Sequence, residues 1–297
     1  MGCVIIGHMH ADTIVFSDYL EKFIAHLREK HKSEYTITAY KKDIEQFLGF
    51  LAKRQIQAIN DVKKEDISDF IENLLKENYT KKSASRKLNS IRTFYRLLKE
   101  LGAITINPAL DVAHPRFDTS RPRVLSKLEY RALRDFARSD RRTYAIIELF
   151  LQTGVRIGEL ASLKLTNVQN DELVIEAYGN NKERKIQLNK MVKKAIVDYE
   201  KMRNGSKSEY IFITKNDHPL LVRNIRNIVD RCFKEVGIKN AKVNDLRNTF
   251  IAHQLSAGVP LAYVSRVVGH KRLSSTEQFL GLVTQEQAPS EFRLNEL

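Results

Sequence analysis

The chain holds 297 residues, enough for one large domain or two ordinary ones, and 42% hydrophobic residues against 29% charged argue against a disordered polymer. Its 50 Lys and Arg against 36 Asp and Glu leave a formal charge of +14, which favours an anionic polymer as partner, nucleic acid before acidic membrane. Two cysteines, Cys3 and Cys232, lie far apart without C-x-x-C spacing, which speaks against a disulfide framework or a cysteine zinc site and suits a reducing cytosol. No apolar run approaches the roughly 18 residues that a bilayer span needs.

The opening MGCVIIGHMH is set aside from fold reasoning. Its Gly2 suggests myristoylation, but Ile6 stands where Ser or Thr is required. Apolar residues at helical spacing then predict a helix over 16–32, with Phe16, Tyr19, Leu20, Phe23 and Leu27 on one stripe. A second helix is predicted over 33–54 with Ser33 as N-cap and Ile37, Tyr40, Ile44, Phe47 and Leu51 facing the core. KKEDISDFIENLLKEN gives a third. A fourth runs from Thr80 to Gly102, a residue suited to ending a helix. Leu88, Ile91, Tyr95 and Leu98 of this helix point to the core, while its seven Lys and Arg against one acid between Thr80 and Glu100 make phosphate contact the better reading of its outer face. Lys82, Arg86, Arg92 and Arg96 are the candidate DNA contacts there.

The stretch 107–126 holds three prolines and no sustained periodicity, and reads as an extended linker with the boundary near Asp118. The expected division is a helical domain over 11–114, a linker over 115–124 and a second domain over 125–297. The second domain is predicted to open with a helix after Ser126, then a buried helix closed by Gly154. Two β-like runs follow, ELVIEAY and RKIQL, joined as a hairpin by GNNKE. A helix over 190–202, a short strand EYIFIT, and helices near 219–236, 244–257, 260–268 and 274–282 complete it. The tail TQEQAPSEFRLNEL is polar and reads as a free or partner-docking segment. The class is mainly α with a small β-hairpin or sheet.

Three stretches of the second domain gather groups suited to a phosphodiester. TGVRIGEL places Arg156 at a junction of two helices, NDLRNTF places Arg247 near a helix start with Asn244 before it, and VGHKR places His270 at the end of an apolar helix. Two arginine forks can hold non-bridging phosphate oxygens and stabilise a pentacoordinate transition state. Each stretch alone is weak, since most arginines near helix ends are structural ion-pair partners.

Their order and spacing carry more. The chain resembles the tyrosine recombinase (phage-integrase) family, particularly its Xer-like and transposon-encoded members, and the resemblance covers almost the whole sequence. TITAYKKDIEQF and SASRKLNSIRTFYRLLKELG resemble the family's core-binding domain. LQTGVRIGELASLKLTNV and VNDLRNTFIAHQLSAGVPLAYVSRVVGHKRLSSTEQF resemble its two catalytic segments. The resemblance implies a helical, SAM-like core-binding domain and an α+β catalytic domain closing as a C-shaped clamp on duplex DNA. It further implies site-specific strand exchange, by resolution or integration, through a 3′-phosphotyrosine intermediate, without metal or other cofactor.

Carried over by residue, Arg156 and Arg247 are the two phosphate-clamping arginines, and His270 hydrogen-bonds the scissile phosphate. Three departures matter. Asn244 stands where the family usually has His, and an amide can bond the phosphate but not shuttle a proton. The catalytic lysine of the family's hairpin turn has no direct match in GNNKERK. Lys182 is the best candidate with Lys185 behind it, and both also fit ordinary strand-edge lysines. The nucleophilic Tyr position, nine residues after His270, is occupied by Phe279. A natural relative that lost its nucleophile and a Tyr-to-Phe replacement both fit. The second is favoured because Arg156, Arg247 and His270 persist. Tyr263 and Tyr178 are poor substitutes for the missing hydroxyl.

The chain as written is therefore expected to hold DNA and not cut it. Arg223 and Arg226 of LVRNIRNIVDRCFK are candidate DNA contacts of the second domain. The resemblance also implies a homotetramer on two DNA sites, from a monomer or weak dimer when free, with Phe292 and Leu294 as candidate anchors of a segment donated to a neighbour. It implies a bacterial cytoplasmic, nucleoid-associated location. The alternative is a non-catalytic DNA-binding regulator or accessory factor of the same fold. An acidic-membrane binder is disfavoured, because the basic helix already has a place in a DNA-binding domain.

Overall fold

A computed structural model of the chain describes residues 9–117, 121–177, 181–203 and 205–282. The chain divides into two compact units, Met1–Thr119 and Ser120–Leu297.

Among the described residues, the first unit is built from four α-helices, α1 (Met9–Glu29), α2 (Glu34–Lys53), α3 (Lys64–Lys76) and α4 (Lys81–Glu100). Helix α1 starts earlier than its apolar stripe alone suggests. Helix α2 begins where its cap predicts: the Thr36 amide donates to Ser33 Oγ at 3.2 Å, satisfying one of the orphan donors of the first turn. Helix α4 is capped the same way by Thr80, and Gly102 follows it at φ +70°, a left-handed turn that costs glycine little. The aromatic residues Phe23, Phe47, Phe70, Phe94 and Tyr95 fill the core, with the Phe47 and Phe70 rings edge-to-face at 5.2 Å between centroids. Leu88, Ile91, Tyr95 and Leu98 of α4 all face inward as their spacing predicts.

The second unit begins with α5 (Lys127–Ala137), set by a capping box between Ser126 and Glu129, followed by α6 (Arg141–Thr153) and α7 (Ile157–Ser162). Helix α6 is buried on every face from Ala145 to Thr153, with Glu148 and Gln152 enclosed among its apolar residues, and α5, α8 (Lys190–Glu200) and α10 (Val243–Ser256) pack against it. Between α7 and α8 lies a three-stranded antiparallel sheet in the order β1 (Val168–Gln169), β2 (Glu172–Ile175), β3 (Arg184–Gln187). Leu173 faces Ile186 and Ile175 faces Arg184 across β2 and β3. Strand β3 alternates inward and outward, so Arg184 and Ile186 point in while Lys185 and Gln187 point out. The unit continues with α9 (Val222–Glu235), α10, α11 (Leu261–Val268) and α12 (Ser274–Glu277).

Two expectations of this region change. EYIFIT forms isolated bridges, Lys164 with Tyr210 and Ile213 with Pro219, because its amides reach single loop carbonyls rather than a neighbouring strand. The helix expected over 274–282 stops at Glu277 and resumes as a 3-10 turn over Leu280–Leu282. The Phe279 amide there donates to the Thr276 carbonyl at 3.0 Å, a tightening that turns the Phe279 ring into the core, where it is 2% exposed. Tail residues Phe292 and Leu294, and the hairpin residue Tyr178, lie outside the described residues.

Candidate active site

Helix α6 ends at Gly154 with φ +61°, and a Cβ there would sit 2.4 Å from the Phe250 ring. Only glycine allows both the turn and the close approach of α10. The turn delivers Arg156 to the start of α7, where its amide donates to Glu159 Oε2 at 2.8 Å and its Nη1 to Glu159 Oε1 at 2.8 Å. Arg247, one turn into α10, is 5% exposed and donates to the carbonyls of Gly154 and Val268, the latter at 2.7 Å.

The end of α11 gathers the arginines. Its last carbonyls have no partner within the helix and carry the negative end of its dipole. Val267 O accepts from Arg184 Nε at 2.8 Å, Val268 O from Arg247 Nη2 at 2.7 Å, and Gly269 O from Arg156 Nη2 at 2.6 Å. Three guanidinium groups from three different elements thus close on one helix terminus. Gly269 turns the chain with φ +68°, and a Cβ there would lie 3.1 Å from Arg184 Nη1. The residue after that turn is His270.

Glu159 is the carboxylate that bridges this cluster. Arg184 grips it with a fork, Nη1 to Oε1 at 2.9 Å and Nη2 to Oε2 at 2.6 Å, while Arg156 binds it from the other side. Burial pushes the Glu159 carboxyl up, but the hydrogen bonds and charges of Arg184 and Arg156 outweigh that and hold it below its ordinary value. Burial, and then the neighbouring Arg156, pull the Arg247 guanidinium down to about 9, which leaves it charged at neutral pH. His270 is driven down to about 4 by burial and by the charges of Arg247, Arg156 and Arg184, so its imidazole is neutral at pH 7. Its Nδ1 lies 2.8 Å from Thr276 Oγ1. Three guanidinium groups around one bridging carboxylate keep a net positive charge that suits an anion, and a neutral imidazole beside them can add a hydrogen bond without adding charge.

Of the expected catalytic residues, the structure brings Arg156, Arg247 and His270 together around the end of α11. Phe279 packs in the core of the same unit through the turn that follows Thr276. Lys182 is exposed and lines a cleft of about 410 Å³ together with Arg184, His270 and Lys271. Lys185 points away from that cleft's lining and pairs with Glu172 at 3.4 Å. Asn244 is exposed one turn before Arg247. It donates to Asn248 Oδ1 at 3.2 Å and lines a different cavity, of about 830 Å³, beside Arg226 and Lys242. Sequence reasoning missed Arg184, Glu159 and Thr276. The first two had a legible signal: an arginine on the inward face of a strand and a glutamate three residues after Arg156 both ask for a buried partner.

The expected DNA contacts divide as well. Lys82, Arg96, Arg223 and Arg226 are exposed. Arg86 reaches solvent but its guanidinium is anchored to Asp43, with Nη2 to Oδ1 at 3.0 Å; Asp43 is 1% exposed and also accepts from Lys87 at 2.9 Å and Ser90 at 2.7 Å. Arg92 departs from the expectation of a free phosphate ligand. Its guanidinium donates to the carbonyls of Ala109 at 3.0 Å, Leu110 at 3.0 Å and Val112 at 2.6 Å, and lies 2.7 Å from His114 Nε2. The proline-rich segment after α4 has no ladder to satisfy those carbonyls, and Arg92 does so instead.

Residues 123–285 match the Phage integrase family, and residues 20–102 match the Phage integrase, N-terminal SAM-like domain. The chain is 30% identical over 285 residues to a tyrosine recombinase XerC of Leptospira interrogans, covering 92% of this chain and 91% of that protein. It is 29% identical over 268 residues to the XerC of Staphylococcus saprophyticus, covering 87% and 90%. Among solved structures, a lambda integrase dimer bound to a COC′ core site superposes with a TM-score of 0.73 at 17% identity, covering 93% of this chain and 99% of that one. The Tn1549 transposon integrase in complex with transposon right end DNA gives 0.73 at 19% identity, covering 88% and 94%.

Proposed function

The chain belongs to the phage integrase family of tyrosine recombinases, and from that premise we propose that it grips a specific DNA duplex and is built to exchange its strands through residue 279. The observation that carries this reading is the convergence of Arg156, Arg247 and His270 on the end of α11. In the reaction, Arg156 and Arg247 hold the non-bridging oxygens of the scissile phosphate, and His270 adds a hydrogen bond to it. A tyrosine at position 279 gives its phenol proton to water and attacks phosphorus as the phenolate, the bond from phosphorus to the 5′-oxygen breaks, and that oxygen takes a proton from Lys182. The phosphotyrosine bond stores the energy of the broken one, so rejoining needs only attack by a second 5′-hydroxyl. With Phe279 the first bond cannot form, and the chain holds its site uncut.

Exchange requires two sites and four protomers, and this chain's likeness in fold to a lambda integrase found as a tetramer bound to a Holliday junction supports a homotetramer as the working assembly. Each domain, over 11–114 and over 125–297, offers exposed basic side chains to DNA, Lys82 and Arg96 in the first and Arg223 and Arg226 in the second. Phe279 itself favours a second reading, a binding factor of the same fold that does not cut. Selection from random duplexes identifies the bound site, and a plasmid carrying two copies then tests the function. The Phe279→Tyr protein is expected to change the plasmid's topology, and an unchanged plasmid in the presence of tight binding supports the second reading.

A further inference from the structure

Thr276 plays no part in the recombination chemistry described so far, yet its side chain is 0% exposed and meets His270 at 2.8 Å. Either atom of that pair can be the donor, and the choice fixes which face of the imidazole works. Among the described residues, Thr276 Oγ1 has no hydrogen-bond partner besides His270 Nδ1, and the backbone carbonyl one turn earlier does not take its proton. If Nδ1 carried the proton and donated it, the hydroxyl hydrogen of a fully buried threonine would have no acceptor. That cost is comparable to a lost hydrogen bond. The reverse arrangement leaves no buried atom of the pair unpartnered: the hydroxyl donates to Nδ1, and the imidazole proton sits on Nε2 of the half-buried ring.

We propose that Thr276 is a positioning residue that fixes His270 as the Nε2–H tautomer, making it a hydrogen-bond donor rather than a base. The same residue ties that choice to the segment bearing position 279. The Thr276 amide donates to Leu273 O at 2.7 Å, and Thr276 O accepts from the Phe279 amide at 3.0 Å. Packing of the Phe279 ring into the core therefore seats the hydroxyl that sets the imidazole, and the donor is ready only when the nucleophile's segment is docked. An Nε2–H imidazole among three guanidinium groups can only donate to a phosphate oxygen. The phenol proton of an attacking tyrosine must therefore pass to water, and the arginines on the phosphate favour the phenolate that attacks.

The inference rests on the proposed recombinase chemistry for its meaning but not for its test. In the 15N-labelled chain, long-range nitrogen–proton correlation of the histidine rings is recorded at pH 7, with His270 assigned from the His270→Gln variant. Nε2 is expected to resonate as the protonated nitrogen and Nδ1 as the bare one. Thr276→Val, nearly isosteric but without the hydroxyl, should shift His270 toward the other tautomer, and Thr276→Ser should restore it. In the Phe279→Tyr background, Thr276→Val should slow adduct formation on nicked DNA at least about tenfold, the loss of one hydrogen bond to a charged oxygen, while Thr276→Ser recovers most of the rate. A protonated Nδ1 in the unaltered chain overturns the inference, whatever the variants do. So does a His270 spectrum that Thr276→Val leaves unchanged. An Nε2–H spectrum with no adduct from Phe279→Tyr alone fails the recombinase reading and leaves the tautomer assignment supported.

Discussion

Replacing Glu159 with Gln removes the negative charge that bridges the arginine cluster and changes almost no volume. Glu159 accepts from the Arg156 amide at 2.8 Å, Arg156 Nη1 at 2.8 Å, Arg184 Nη1 at 2.9 Å and Arg184 Nη2 at 2.6 Å. A glutamine amide can keep one oxygen's pair of bonds; its nitrogen then points N–H groups at N–H groups on the other side. Of the two partners, Arg184 is buried and cannot turn to water for relief, while Arg156, 33% exposed, can do so in part. Removing one partner of a buried ion pair costs about 3–5 kcal/mol, and the exposure of Arg156 puts the loss toward the lower end of that range. Urea unfolding should be followed by hydrogen exchange in α6 and α10, which reads the second unit by itself. The expected result is a loss of about 3–5 kcal/mol in that unit and none in the first. Added phosphate should stabilise the variant more than the parent, because an anion can take the vacated role. A loss below about 1 kcal/mol, the value of an exposed pair, would refute the claim that Glu159 holds the cluster together.

Acid should weaken the same unit, because two groups act in one direction. Folded His270 titrates at about 4 against about 6.5 unfolded, so the unfolded chain binds the extra proton and stability falls as pH drops from about 6.5 toward about 4. Glu159, held below its ordinary value, adds stability that is present above the unfolded carboxyl pKa and is lost as pH falls further. Thermal melts between pH 7.5 and pH 4 check this, and a flat profile contradicts it. Gly154→Ala forces a left-handed alanine and a Cβ 2.4 Å from a buried Phe250 carbon, and should cost about 2–4 kcal/mol while loosening the Arg247 anchor, read by urea melts. In the first unit, Arg92→Ala should destabilise by about 1–3 kcal/mol because it frees three carbonyls. Arg96→Ala should leave stability alone and lower the slope of log affinity against log salt by about 1. Similar effects of the two changes on both readouts would refute the division between tether and phosphate ligand.

The helices of both units were legible because burial repeats every three or four residues, and Ser33, Thr80 and Ser126 mark their starts with side chains that accept from the first turn. Arg156, Arg247 and His270 were legible as a spaced pattern. What held them in place was not, because the partners lie far along the chain: Arg156 bonds Gly269 and Arg184 bonds Glu159 and Val267. Only the fold brings those atoms together. Arg92 was misread for a related reason. Its position on a basic helix face signals phosphate, while the carbonyls it satisfies sit in a segment with no periodicity to announce them. The last helix reads as continuous because SSTEQFLGL has no breaker before Gly281, and the burial of Phe279 outweighs that local preference.

We propose that this chain holds the scissile phosphate through Arg156, Arg247 and His270 and lacks the attacking oxygen at position 279. A duplex of the selected binding site, nicked so that a cleaved strand cannot religate, tests it directly with the Phe279→Tyr protein. The expected product is a covalent complex that survives denaturing electrophoresis, linked through Tyr at 279 to a 3′-phosphate, while the unaltered chain binds the same duplex and forms none. Tight binding by both proteins with no covalent complex from either would contradict the account.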